Sequence, residues 1–152
     1  MSLTSIARPF FMPRVKAIEK YANSAEQIQR RVLHRLLKRA CRTEWGKKYG
    51  YAGIDDYEAF AAAVPVNTYE ETKEYIDRMR HGEADVLWPG CVRWYAKSSG
   101  TTNDKSKFIP VSKTSLEECH FRGGKDVIAI FNNLYPDAQA FNGKTLALGG
   151  SS

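Results

Sequence analysis

The sequence predicts an α/β fold in which N-terminal helices lead into part of a β-sheet with a crossover helix. Three observations predict it. Helix-start signals recur through the first half of the chain, with Ser24-Ala25-Glu26-Gln27, Asp55-Asp56-Tyr57-Glu58 and Thr68-Tyr69-Glu70-Glu71 each spaced as a capping box. Two β-prone runs, Val92 to Ala96 and Phe108-Ile109, flank a polar loop. A helical segment and the strand-like stretch Lys144-Thr145-Leu146-Ala147-Leu148 then follow, and strand, helix, strand in series calls for a sheet with crossover helices.

Residues 1–24 form an aromatic, proline-punctuated lead-in with Phe10, Phe11 and Tyr21, expected as a short helix or turn. A helix begins at Ala25. Ile28, Val32, Leu36 and Ala40 recur every four residues, Leu33 and Leu37 widen the stripe, and the helix is expected to run to Trp45 and stop at Gly46. Gly46 to Gly53 reads as a loop. A short helix opens at the second box and ends before Pro65, and a third carries Thr72, Tyr75, Ile76 and Met79 on one face until Gly82.

Trp88-Pro89-Gly90 is a turn signal that closes the helical region, 25–90. Residues 91–152 then read as strand, loop, strand, helix, strand. Thr114-Ser115-Leu116-Glu117 restarts a helix whose buried side is expected at Phe121, Ile128 and Phe131, with Gly123-Gly124 a weak point. Tyr135-Pro136-Asp137 is a turn, 144–148 a strand, and Gly149-Gly150-Ser151-Ser152 a further turn. Two or three strands are fewer than sheets normally have. The chain therefore reads as the front portion of a larger α/β protein, or as one ending at a loop.

At 152 residues with 43% hydrophobic content, the chain is core-forming rather than disordered. Its net charge of +6 suits an anionic ligand and only weakly suggests nucleic acid or membrane. Cys41, Cys91 and Cys119 are odd in number and widely spaced, which points to a reducing interior, and the cytoplasm is the expected location. No stretch reaches the length of a membrane span, and Pro9 and Arg8 interrupt the apolar region a signal peptide needs.

Metal and nucleophile constellations are weak. Glu117, Glu118, Cys119 and His120 adjoin in sequence, but consecutive helical residues point in different directions, so no metal is expected. The face carrying Arg30, Arg31, Arg35, Lys38, Arg39 and Arg42 is a solvated surface or, alternatively, the contact face of a non-catalytic anion- or nucleic-acid-binding module built on helix 30–42. It lacks the aromatic side chains that single-strand binders interleave with charge.

The loop itself, Ser98-Ser99-Gly100-Thr101-Thr102-Asn103-Asp104-Lys105-Ser106-Lys107, is rich in hydroxyls and lysines. Two readings stand on the residues alone. It is an ordinary hairpin loop, or a concave anion site whose N–H groups, hydroxyls and lysine face a phosphate, with Gly100 permitting close approach. It is not a Walker A loop, because Asp104 stands where that motif needs glycine before lysine.

Ser98-Ser99-Gly100-Thr101-Thr102 with Lys107 and Phe108-Ile109-Pro110 resembles the phosphate-binding motif of the acyl-adenylate-forming enzymes. More closely, it resembles the auxin-responsive promoter family of acyl-acid amidosynthetases. Glu44 to Gly50, Pro65 to Glu70, Tyr75 to Arg78, Gly82-Glu83 and Gly143 to Gly150 extend the likeness in order along residues 25–150. The resemblance implies the N-terminal part of a single large adenylation domain. It also implies ATP and Mg2+ as cofactors, and a two-step ligase joining a small carboxylic acid to an amine such as an amino acid. Lys107 would be catalytic, and Ser98, Ser99, Gly100, Thr101, Thr102 and Lys107 would bind the nucleotide. Asn103-Asp104 replaces the family's usual glycine-bearing pair, and asparagine tolerates the left-handed turn needed there.

Overall fold

A computed structural model describes residues 3–98, 106–138 and 143–144, with side chains from Pro9 onward. The chain divides into two compact units, Ala25–Glu118 and the pairing of Met1–Ser24 with Cys119–Ser152. Helices precede a two-stranded antiparallel sheet, and a further helix follows it. Expected strand 144–148 and the turn at 149–152 lie outside the described residues, apart from Lys144.

The lead-in is helical, one of the two forms expected, but it is not short. Helix α1 spans Leu3–Ala40 with a kink at Ser24, whose φ of −142° and ψ of 20° are non-helical. The sequence placed a helix start at that residue, and the chain does break there. The end differs. α1 stops at Ala40, not at Trp45, and a separate helix α2 occupies Glu44–Lys48. Thr43 makes the junction. Its hydroxyl donates to the Ala40 carbonyl (2.7 Å) and accepts from the Gly46 N–H (3.0 Å), so one buried threonine closes α1 and caps α2.

Gly46 is consequently inside α2 and is not a helix stop. A Cβ there would lie 2.0 Å from the Ala40 carbonyl oxygen, so only glycine fits this approach of backbone to backbone. The expected loop from Gly46 to Gly53 therefore contains part of α2 and a 3-10 turn at Tyr51–Gly53. On α1 the buried stripe is narrower than expected: Leu37 and Ala40 are buried, while Val32 and Leu36 remain exposed.

Helix α3, Tyr57–Ala63, starts one residue later than the spacing of the expected box: Asp56, not Asp55, is the cap, and its carboxylate accepts from the Ala59 N–H (2.8 Å). Helix α4, Tyr69–Arg80, has a complete capping box. Glu71 Oε2 accepts from the Thr68 N–H (2.6 Å), while Thr68 Oγ1 accepts from the Glu71 N–H (3.4 Å). Its Ile76 and Met79 are buried on the expected face, and Gly82 at φ +92° ends it.

Met79 packs with Val86 and Val92, flanked by Tyr75, Leu87, Trp88 and Tyr95. The loop bearing Val86 also completes α2, because the Glu44 and Trp45 N–H groups donate to the Asp85 and Val86 carbonyls at 2.8 and 3.1 Å. Arg78 reinforces the same junction. It bridges Glu44 (Nη2 to Oε2, 2.5 Å) and Glu83 (Nε to Oε2, 2.8 Å), and holds both carboxylates below their ordinary range.

Strand β1, Trp94–Lys97, pairs antiparallel with β2, Phe108–Val111, in the register Trp94↔Val111 to Lys97↔Phe108. β1 begins two residues later than the sequence suggests. After β2, Ser112 caps a short α5, Lys113–Ser115, and the chain passes through a π turn, Leu116–His120, into α6, Phe121–Leu134.

The helix thus starts two residues earlier than expected, and its buried side also differs. Ala129 and Asn132 are buried, whereas Phe121, Ile128 and Phe131 are exposed. Large apolar side chains are buried only where another element covers them, and on α6 the covered positions are those of Ala129 and Asn132. In this unit, Arg14 grips Asp126 with two hydrogen bonds of 2.6 and 2.7 Å. No helix among the described residues is long and apolar enough to cross a membrane.

Candidate functional site

The hairpin delivers the two ends of the polar loop to one neck. The Ser98 N–H donates to the Lys107 carbonyl (2.9 Å), and the Lys107 N–H donates to Ser98 Oγ (3.0 Å). Ser98 Oγ therefore uses one of its two acceptor sites to close the neck and keeps its O–H for donation. Of the residues expected to contact nucleotide, Ser98 and Lys107 meet here. Ser99, Gly100, Thr101 and Thr102 lie outside the described residues, as do Asn103, Asp104 and Lys105.

Strand register explains how the neck is anchored. With residues 98 and 107 bonded to each other, Phe108 and Pro110 fall at positions whose nitrogens point away from β1. Proline has no N–H to lose, so Pro110 is tolerated in β2. The Phe108 N–H donates instead to the Tyr69 hydroxyl (3.1 Å), on the first residue of α4.

Cations gather on this side. The Lys107 ammonium lies 5.5 Å from the centre of the Tyr69 ring. The Arg80 guanidinium stacks 3.7 Å from the centre of the Phe108 ring and also reaches Asp77 (3.2 Å). Asp77 is held below the usual carboxylate range, first by its hydrogen bond from Lys73 and also by Arg80. Sequence reasoning missed Tyr69 and Arg80 as partners of the loop. No local signal marks them, because each meets β2 only after α4 packs on the hairpin.

The basic face of α1 is partly committed within its own unit. Arg35 and Arg39 pair with Glu118 at 2.7 and 3.6 Å, and Arg39 also lies 5.9 Å from the centre of the Trp88 ring. Among the described residues no group of three or more His, Cys, Asp or Glu side chains is arranged to hold a metal ion.

Comparison with known proteins gives this geometry its context. The model of the GH3 family N-terminal domain matches residues 14–151. The indole-3-acetic acid-amido synthetase GH3.6 of Arabidopsis thaliana is 32% identical over 105 residues, covering 68% of this chain and 17% of that protein. The indole-3-acetic acid-amido synthetase GH3.8 of Oryza sativa subsp. indica is 31% identical over 105 residues, with the same shares of 68% and 17%.

Among solved structures, the AtGH3.15 acyl acid amido synthetase in complex with 2,4-DB superposes with a TM-score of 0.69 at 29% identity. That match covers 78% of this chain and 21% of the other. The α/β architecture of helices leading into a small sheet is thus that of the front portion of a larger adenylate-forming domain. The chain spans under a quarter of the length of these relatives: 17% of the first and 21% of the solved structure. The resemblance carried by Ser98–Lys107 and the segments before it is borne out, and the chain belongs to the GH3 family, within its N-terminal domain.

Proposed function

We propose that residues 1–152 are the N-terminal part of a single large adenylation domain and carry the phosphate-gripping loop of an ATP-dependent acyl-acid ligase. The observation that carries this reading is the hairpin neck, where Ser98 and Lys107, the two ends of a hydroxyl-rich stretch that resembles the family's phosphate-binding motif, are hydrogen-bonded to each other. In the first step a carboxylate oxygen attacks the α-phosphorus of ATP. The bond to the bridging oxygen breaks, and pyrophosphate leaves an acyl-adenylate. In the second, an amine such as that of an amino acid attacks the acyl carbon, loses a proton and expels AMP.

Negative charge grows on the phosphoryl oxygens and the departing pyrophosphate, so preorganised donors and a cation belong there. Lys107 would supply the cation. Ser98 would donate its remaining O–H, Gly100 would allow the chain to approach the phosphates, and Ser99, Thr101 and Thr102 would add hydroxyls. Magnesium, when bound, would neutralise phosphate charge; such ions are commonly held by one or two carboxylates and the phosphates themselves, so Ser98 and Lys107 need not ligate it. We place the activity in the cytoplasm, where the free Cys41, Cys91 and Cys119 stay reduced.

The test is pyrophosphate exchange with a panel of carboxylic acids, in a protein of its relatives' length that carries this chain. S99A and K107A should each lower exchange by about a hundredfold, the scale of losing one transition-state donor. Exchange at the wild-type rate in both variants sinks the proposal.

A further inference from the structure

We propose that Tyr69 is a positioning residue for Lys107, holding the lysine end of the loop in place from α4. Three observations converge on it. The Tyr69 hydroxyl accepts from the Phe108 N–H at 3.1 Å, one residue beyond the lysine. The Tyr69 ring lies under the ammonium, 5.5 Å from ring centre to Nζ. Tyr69 itself is the first residue of α4, immediately after a Thr68 cap whose box with Glu71 is complete, so its backbone is fixed.

Physical chemistry gives the arrangement a purpose. Lysine is a point charge on a flexible stem, and aiming it costs rotamer entropy at the moment a ligand arrives. An aromatic face beneath the ammonium restricts it beforehand without neutralising it, because a ring quadrupole attracts a cation but carries no net charge. The hydroxyl fixes the strand that carries the lysine, and the ring biases the side chain. Arg80, at the last residue of the same helix, stacks on Phe108 and secures that strand a second time.

The functional consequence rests on reading the loop as a grip for nucleotide phosphates, whereas the positioning itself does not. The experiment therefore has two arms. In the first, lysines of the chain are 13C-dimethylated, which keeps their charge, and the Lys107 resonance is assigned by its loss in K107R. It should lie upfield of solvated lysines through the ring current, stay there in Y69F, and move to the solvated position in Y69L. In Y69F the Phe108 amide should exchange with solvent on the order of tenfold faster, because its acceptor is gone. A Lys107 resonance that already sits among the solvated lysines overturns the proposal. So does one unmoved by Y69L, or, should Y69L fail to fold, a Phe108 amide unchanged in Y69F.

The second arm measures Mg-ATP binding in a protein of the relatives' length carrying wild type, Y69L, K107A or both. Y69L should weaken binding about tenfold and add nothing once Lys107 is absent. Independent, additive losses overturn the positioning role. Should K107A bind like wild type, the nucleotide reading falls, and the spectroscopic arm still decides what Tyr69 does.

Discussion

Ala25–Glu118 and the unit made of Met1–Ser24 with Cys119–Ser152 bury their side chains in different ways. The first has a cluster of Met79, Val86 and Val92 whose surroundings are tied by backbone bonds from α2 to the Asp85–Val86 loop, and by Arg78 between Glu44 and Glu83. In the second, Val15, Ala129 and Asn132 are the buried side chains among the described residues. Its α6 exposes Val127 at 68% and Leu134 at 63%, and Asn132 leaves its buried Oδ1 with no hydrogen-bond partner there. The difference teaches that an amphipathic pattern does not by itself secure burial. The loop neck belongs to the unit in which caps and turns are cross-tied, and a site needs that rigidity.

Four substitutions sharpen or break the contrast. The largest effect is expected from M79A, since Met79 is 2% exposed and truncating a buried methionine costs about 3 kcal/mol. Urea unfolding would show it, and a loss under about 1 kcal/mol would mean the cluster is not the core of its unit. G46A should cost about 2 kcal/mol, because the new methyl meets a backbone carbonyl that must shift. Unfolding at the wild-type midpoint would show that Ala40 and Gly46 do not approach as described.

The other unit should respond less. D126N should cost roughly 1 kcal/mol by removing the charge that Arg14 grips. It should also flatten the acid limb of stability. Arg14 holds Asp126 below the ordinary carboxylate value, so the pair's contribution is complete above about pH 5 and is lost as pH falls through about 4 and below. An acid limb identical to wild type would remove the ion pair from that unit's stability. V127S should change stability by less than about 0.5 kcal/mol, as an exposed site on α6. A larger loss would show that this face is covered.

Much of the fold around the candidate site was legible because its determinants are local. The Thr68–Glu71 box, the short helix after Asp55-Asp56, the break at Ser24 and the two strands flanking the polar loop all follow from residues within a few positions of one another. Thr43 was not legible as the joint between α1 and α2. A threonine inside an apolar period reads as helix until Ala40 and Gly46 are seen to bond to its two sides. The face of α6 misled for a related reason. Phe121, Ile128 and Phe131 have the spacing of a buried stripe, but spacing names a face and not the element that covers it.

By itself the sequence determined the break at Ser24, the start of α4 and the two strands of the hairpin, since capping, alternation and turn chemistry are set by neighbours in the chain. Only the tertiary structure decided that Ser98 is bonded to Lys107 at the neck and that Tyr69 and Arg80 hold Phe108 from α4. Partners as far apart in sequence as Tyr69 and Phe108 are brought together by packing, and no local preference of the chain encodes which distant side chain will arrive.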